Sequence, residues 1–127
     1  MSDRDCFVTM KRWMENNNRG KGIADYLSAC GYGRIAIYGA GDIGRLLYHD
    51  IKGSEIYVAY FADRNAESIG DIDGIKVVMP IDIGKQEEVD IMVVSPVGAF
   101  ASISRMLVEN YPQMPVLSLK DAVYEII

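Results

Sequence analysis

Short apolar segments alternate with amphipathic segments along most of this 127-residue chain. From residue 34 onward, runs rich in Val, Ile, Tyr and Phe are separated by stretches in which apolar residues recur at helical spacing. The pattern predicts strands at 34–38, 55–62, 75–79, 90–95 and 115–118. Because these runs are apolar on both faces, both faces of the sheet must be covered, which indicates a parallel sheet in an α/β protein.

Helical spacing predicts the segments that cover this sheet. Helices are expected at 43–52, 98–110 and 120–126, and the first of them turns four apolar side chains inward: Ile43, Leu46, Leu47 and Ile51. Residues 63–75 are rich in glycine and acids, so we expect a loop or a hairpin-like approach to the third strand there. Right-handed crossovers favour the order 3-2-1-4-5 for this open, five-stranded parallel sheet, with helices on both faces.

Residues 1–33 are predicted to form a helical extension that precedes a domain spanning 34–127. A helix over 5–16 would carry four apolar side chains on one face: Phe7, Met10, Trp13 and Met14. A second helix, over 23–30, would turn four residues inward: Ile23, Tyr26, Leu27 and Cys30. The first stripe must be buried, either against the sheet of its own chain or in a symmetric homodimer, and we favour the homodimer.

Composition excludes several classes of function. The net charge of −5 argues against general nucleic-acid binding, which needs a basic face. No apolar run approaches the roughly 20 residues that span a bilayer. The chain starts with charged residues and has no apolar secretory core, so we expect a cytoplasmic protein. Cys6, Cys30 and His49 are too few for a zinc site, and both cysteines are expected to be reduced thiols.

The strongest functional signal is the hexapeptide at 39–44, Gly-Ala-Gly-Asp-Ile-Gly. It has the G-x-G-x-x-G spacing, follows a predicted strand and opens a predicted helix, which is the context that dinucleotide binding requires. Gly39 would allow the tight turn, Gly41 the close approach of a pyrophosphate, and Gly44 the packing of helix on strand. The backbone N–H groups of the hexapeptide, including those of Ala40, Asp42 and Ile43, would then face the anion. The Asp42 carboxylate would oppose a phosphate unless it points outward.

Three polar residues outside the hexapeptide are candidate ligand contacts. Asp63 ends the second strand, about 20 residues after Gly44, where a carboxylate accepts hydrogen bonds from the adenosine ribose. Arg64 follows and would cover the adenine or pair with a 2′-phosphate. Ser95 ends the fourth strand, at the edge where ligands bind in open α/β sheets; it would either bind the ligand or cap the turn.

The segments IAIYGAGDIGRLLYHDI, VAYFADRN and GIKVV together resemble the Rossmann-like domains attached to bacterial surface-polysaccharide enzymes. These include the N-terminal domains of capsule-type nucleotide-sugar dehydratases and of sugar-amine acetyltransferases. The likeness covers residues 34 to about 120. It implies a Rossmann-like nucleotide-binding module with an accessory or regulatory role. The implied ligand is NAD, with NADP, coenzyme A or a nucleotide-sugar as alternatives.

No catalytic residue is predicted. Tyr48 and Lys52 match the Tyr-x-x-x-Lys pair of dehydrogenases and epimerases, but they lie directly after the glycine loop, whereas that family places the pair far downstream. We interpret the match as a coincidence and expect no turnover by the isolated chain. Two alternatives remain open: an NAD(P)-dependent oxidoreductase or epimerase component completed by another chain, and a ligand-free scaffold for protein interaction.

Overall fold

A computed structural model describes residues 2–127 as an α/β protein with one mixed sheet. The helices are α1 (Ser2–Asn18), α2 (Ile23–Ala29), α3 (Asp42–Ile51), α4 (Ala66–Ile69), α5 (Phe100–Asn110) and α6 (Leu119–Glu125). The strands are β1 (Arg34–Tyr38), β2 (Tyr57–Ala62), β3 (Asp71–Ile72), β4 (Ile75–Val78), β5 (Ile91–Val94) and β6 (Val116–Ser118). Short 3-10 segments cover Pro80–Lys85 and Val97–Ala99. No helix of residues 2–127 is both long and apolar enough to cross a membrane.

The six strands lie in the order β3-β4-β2-β1-β5-β6, and every neighbouring pair except β3 and β4 is parallel. The predicted count of five strands was therefore wrong. The additional strand β3 belongs to a hairpin that approaches β4, as the composition of 63–75 suggested. Asp73 and Gly74 form its turn at φ of 55° and 83°, and the strong preference of Asp-Gly for this conformation explains the hairpin.

Alternate side chains of β1 enter two separate cores on the two faces of the sheet. Ile35 and Ile37 pack beneath α1, α2, α3 and α6, on what we call the α3 face. Ala36 and Tyr38 pack beneath α5 and the Pro80–Lys85 segment, on the α5 face. This division places the connection after β1 and the connection after β5 on opposite sides of the sheet.

A β-bulge in β2 changes which side chains reach the α5 face. Ile35 pairs with Val58 and Ala36 with Tyr60, so Ala59 is the additional residue. A bulge inserts one extra residue, so the side chains that follow it point to the opposite face of the sheet from the one that strict alternation would give them. Here Val58 lies in the core of the α3 face and Tyr60 in that of the α5 face.

The predicted apolar stripe of α1 does not form the buried face of that helix. Trp13 is buried, but Phe7 and Met14 are each 67% exposed. Two polar side chains, Thr9 and Asn16, are fully buried in their place. The helix is therefore rotated about its axis relative to the orientation that its apolar residues predicted.

Two long-range hydrogen bonds account for this rotation. The indole Nε1 of Trp13 donates to Asp50 Oδ2 at 2.7 Å, near the end of α3. The amide Nδ2 of Asn16 donates to the buried carbonyl oxygen of Val123 in α6 at 2.9 Å. A buried carbonyl that would otherwise lack a donor is costly, so Asn16 has a reason to face inward that hydropathy does not reveal.

Two further side chains that were expected to be inward lie at the surface. Cys30 is exposed because α2 ends at Ala29 and the chain turns away at Gly31, where φ is 90°. Leu46 is half-exposed, at 49%, although its neighbour Leu47 is fully buried as predicted. Both errors concern positions at the margin of a predicted helical face.

Replacement of Asn16 tests the docking of α1. Asn16→Ala should lower the free energy of unfolding by about 1–3 kcal/mol, because it leaves the Val123 carbonyl buried without its donor. Asn18→Ala, at an exposed position two residues later, is the control. It should change the free energy of unfolding by about 0.5 kcal/mol or less. Urea unfolding followed by circular dichroism measures both; equal effects would contradict the assigned contact.

The homodimer stays a prediction. If it forms, the exposed side chains of Phe7 and Met14 offer an apolar surface for the contact. These side chains are seven residues apart and share the outward side of α1. The double variant Phe7→Glu, Met14→Glu should convert a dimer into a monomer in sedimentation experiments. Ile81→Glu, at an exposed apolar residue elsewhere, should not. A wild-type chain that sediments as a monomer at high concentration contradicts the dimer.

Candidate functional site

Two glycines of the loop between β1 and α3 are required by the protein's own packing. Gly39 has φ of 102°, and a Cβ there would lie 2.5 Å from Ser95 Oγ. A Cβ at Gly44 would run into the carbonyl oxygen of Gly39. The first turn of α3 therefore rests directly on the loop, and neither position accommodates a larger residue.

Gly41 differs from these two glycines. Its φ of −83° is available to any residue, and no atom lies within 4 Å of the position that a Cβ would take. Nothing in the described part of the chain therefore requires glycine here. The missing side chain leaves an open approach to the backbone on the outer side of the loop.

Backbone donors surround this open position. The first hydrogen bond of α3 runs from the Arg45 N–H to the Gly41 carbonyl at 3.0 Å. The N–H groups of Gly41, Asp42 and Ile43 have no acceptor among residues 2–127. Unpaired N–H groups at a helix N-terminus, together with the helix dipole, favour an anion.

Asp63 fastens the loop to the end of β2. Its Oδ2 accepts the Ala40 N–H at 2.8 Å, and its Oδ1 accepts the Asn65 N–H at 2.8 Å. The Ala40 N–H is thus already paired and is not available to a ligand. Each carboxylate oxygen has a second lone pair, so Asp63 can still accept hydrogen bonds from hydroxyl groups.

Ser95 lies under the loop rather than in front of it. Its side chain is 1% exposed, and its hydroxyl donates to the Tyr38 carbonyl at 2.9 Å, with the Gly39 carbonyl at 3.3 Å. The single hydroxyl proton is therefore used within the protein. This geometry makes Ser95 a positioning residue that ties the end of β5 to the end of β1.

The two remaining charged candidates are exposed. Asp42 points outward from the first turn of α3, which is the orientation that reduces its repulsion of a phosphate. Arg64 is exposed beyond β2. Burial raises the pKa of Tyr38 at the end of β1, and the positive charge of Arg64 partly opposes that shift.

Arg45 belongs to this site and was not identified from the sequence. Its Nε donates to the Ala40 carbonyl at 3.1 Å, so the guanidinium folds back over the loop. No residue of 2–127 accepts a hydrogen bond from its two Nη groups. The signal was present: side chains in a helix tilt towards its N-terminus, so a cation one turn into α3 can reach the loop.

Tyr48 and Lys52 have a structural partner far from the loop. The Tyr48 hydroxyl donates to Asp73 Oδ2 at 2.7 Å, and Lys52 Nζ lies 2.9 Å from the same oxygen. This hydrogen bond raises the pKa of Tyr48, which disfavours the phenolate that a proton-abstracting tyrosine needs. The pair instead fastens the end of α3 to the β3–β4 turn. Across the described chain, no group of three or more His, Cys, Asp or Glu side chains could hold a metal ion.

No protein-family model matches the chain, and no curated protein is significantly similar to it. The interpretation of the site therefore rests on its geometry. An open backbone position, N–H groups without an acceptor, a guanidinium and a carboxylate with free lone pairs lie in or beside the loop between β1 and α3. This combination suits a ligand that carries both phosphate and hydroxyl groups.

Substitution of the second and third glycines tests the assignment of packing roles. Gly44→Ala should lower the free energy of unfolding by about 2 kcal/mol or more, because its methyl group overlaps the Gly39 carbonyl. Gly41→Ala should cost about 1 kcal/mol or less, since its methyl group meets open space at a helix N-cap. Urea unfolding measures both, and equal losses would show that the loop geometry is wrong.

Proposed function

We propose that this chain is a small Rossmann-type module that binds a nucleotide or dinucleotide. The observation that carries the proposal is the open position at Gly41 beside the unpaired N–H groups of Gly41, Asp42 and Ile43. Packing explains the other two glycines of the motif, whereas the absence of a side chain at Gly41 is explained by the close approach of a diphosphate.

The sheet arrangement supports this proposal. The parallel strands β4-β2-β1-β5-β6 place the ends of β1 and β5 side by side. The chain leaves β1 towards the α3 face and leaves β5 towards the α5 face. A crevice between two such diverging connections is where ligands bind in open α/β sheets.

In the proposed complex, the diphosphate accepts hydrogen bonds from the start of α3 and its charge is offset by Arg45. The Asp63 carboxylate accepts hydrogen bonds from ribose hydroxyls through the lone pairs that the loop leaves free. NAD is the first choice, and NADP, coenzyme A and nucleotide-sugars share the same diphosphate. The resemblance to domains of surface-polysaccharide enzymes supports an accessory or regulatory role in nucleotide-sugar metabolism in the cytoplasm.

The variant Gly41→Val tests the diphosphate position. A branched side chain there should abolish NAD binding in calorimetric titrations while the fold is kept, because it fills only open space. Gly22→Val is a matched control, since Gly22 is also a helix N-cap and has nearly the same φ, −85° against −83°. Unchanged NAD affinity in a folded Gly41→Val protein would contradict the proposed site.

The choice between NAD and NADP tests the role of Asp63. A 2′-phosphate about 4 Å from a carboxylate costs roughly 4 kcal/mol at an effective dielectric of 20, and Arg64 offsets part of it. We therefore expect NAD to bind about tenfold to a hundredfold more tightly than NADP.

Two substitutions remove the Asp63 charge in the same titrations. Asp63→Asn and Asp63→Ser should narrow or reverse the difference between NAD and NADP. Asp42→Asn is the control at the outward carboxylate, and it should raise the affinities for NAD and NADP equally. Tighter binding of NADP by the wild-type chain would show that Asp63 does not face the ribose.

A further inference from the structure

A cavity of about 310 Å³ opens on the α5 face at the edge of the sheet opposite the glycine loop. Its walls include the segments that precede β5 and β6, so it lies where those parallel strands begin rather than where they end. Its lining includes two tyrosines and two glutamates: Tyr60, Tyr111, Glu87 and Glu88. Nothing in the proposed nucleotide site reaches this edge, and the two inferences are independent.

Tyr60 is a buried side chain among those that line this cavity. It is only 1% exposed, yet its hydroxyl forms no hydrogen bond with the described part of the chain. The bulge at Ala59 is what directs Tyr60 towards this face. Burial, with smaller effects of Tyr111 and Glu87, raises the pKa of Tyr60 to about 12, so the phenol stays protonated and neutral.

Tyr111 forms a rigid second wall. Its hydroxyl donates to the Pro80 carbonyl at 2.6 Å, which leaves the phenol oxygen free to accept a hydrogen bond. Its ring packs against Gly84, where an added Cβ would lie only 3.2 Å from the ring. The wall is therefore held at both ends of the side chain.

The charges that line the cavity are negative. Glu87 and Glu88 are lining residues, whereas no lysine or arginine is. Arg34 forms an ion pair with Glu87 from outside the cavity. Lys85 is directed to Asp82, with 3.1 Å between their charged atoms. Among the described residues Glu88 has no cationic partner, so the cavity has an excess of negative charge.

We propose that this cavity is a second binding site and that its ligand is a small alkylammonium compound. An ammonium group donates only, which matches carboxylates and phenol oxygens that have free lone pairs. A volume of about 310 Å³ is at the small end for ligand pockets, so the compound is a short amine rather than a nucleotide.

Three four-carbon probes of different charge test the class of ligand in calorimetric titrations of the full chain. Putrescine is a dication, 1,4-butanediol is neutral and succinate is a dianion. We expect saturable binding of putrescine at one site, and binding of the diol and of succinate at least tenfold weaker. Equal binding of putrescine and the diol, or no binding of putrescine at millimolar concentration, would overturn the proposal.

Two variants then locate the bound amine. Tyr60→Phe removes only the unpaired hydroxyl, and Glu88→Gln removes only the unpaired charge. Each variant should lower the affinity for putrescine about tenfold or more. Glu125→Gln makes the same charge change at an exposed residue of α6, on the α3 face, and should have no effect. Equal losses in Glu88→Gln and Glu125→Gln would show a nonspecific charge effect and overturn the site. Both variants with wild-type affinity would overturn it as well.

Discussion

The hydrogen bond from the Ala40 N–H to the Asp63 carboxylate determines the shape of the glycine loop. It joins the loop that follows β1 to the residue that follows β2, and the Gly39 N–H reinforces it by donating to the Ala62 carbonyl at 2.7 Å. These two N–H groups are paired within the protein, whereas the N–H groups of Gly41, Asp42 and Ile43 have no acceptor among residues 2–127. Asp63 therefore holds the loop in place through one carboxylate oxygen and the start of α4 through the other.

The direction of the parallel strands gives the two edges of the sheet different chemistry. At the end of β1, the helix N-terminus and Arg45 present donors and positive potential, despite the net charge of −5. At the beginning of β5, Glu87 and Glu88 and the tyrosine hydroxyls present acceptors. The proposed ligands have opposite charges for this reason.

Much of the fold was predictable because local sequence and packing agree. The five parallel strands were located within two residues of their ends, since each is short, apolar and followed by a turn signal. The structural roles of Gly39 and Gly44 could be predicted because only glycine fits at either position. Gly39 has a positive φ, and Gly44 lies against the Gly39 carbonyl. The rotation of α1 was not predictable, because it depends on a buried carbonyl in α6 that Asn16 pairs with.

The hydrogen bonds within the candidate site could not be predicted from the sequence. The hexapeptide and Asp63 could be identified from spacing, whereas the inward hydroxyl of Ser95 and the backward fold of Arg45 depend on tertiary contacts. The cavity that Tyr60 lines could not be predicted, because a bulge leaves no signal in the alternation of an apolar strand. The side-chain direction of a bulged strand is fixed only by its pairing.

An amide ¹H–¹⁵N correlation spectrum recorded during titration with NAD shows whether the start of α3 holds the diphosphate, because it observes the N–H groups themselves. We expect the largest chemical-shift changes at the N–H groups of Gly41, Asp42 and Ile43. The Ala40 N–H, already bonded to Asp63, should shift less. Saturating NAD that leaves these three signals unmoved, or that moves signals only at the opposite edge of the sheet, would contradict this position of the diphosphate.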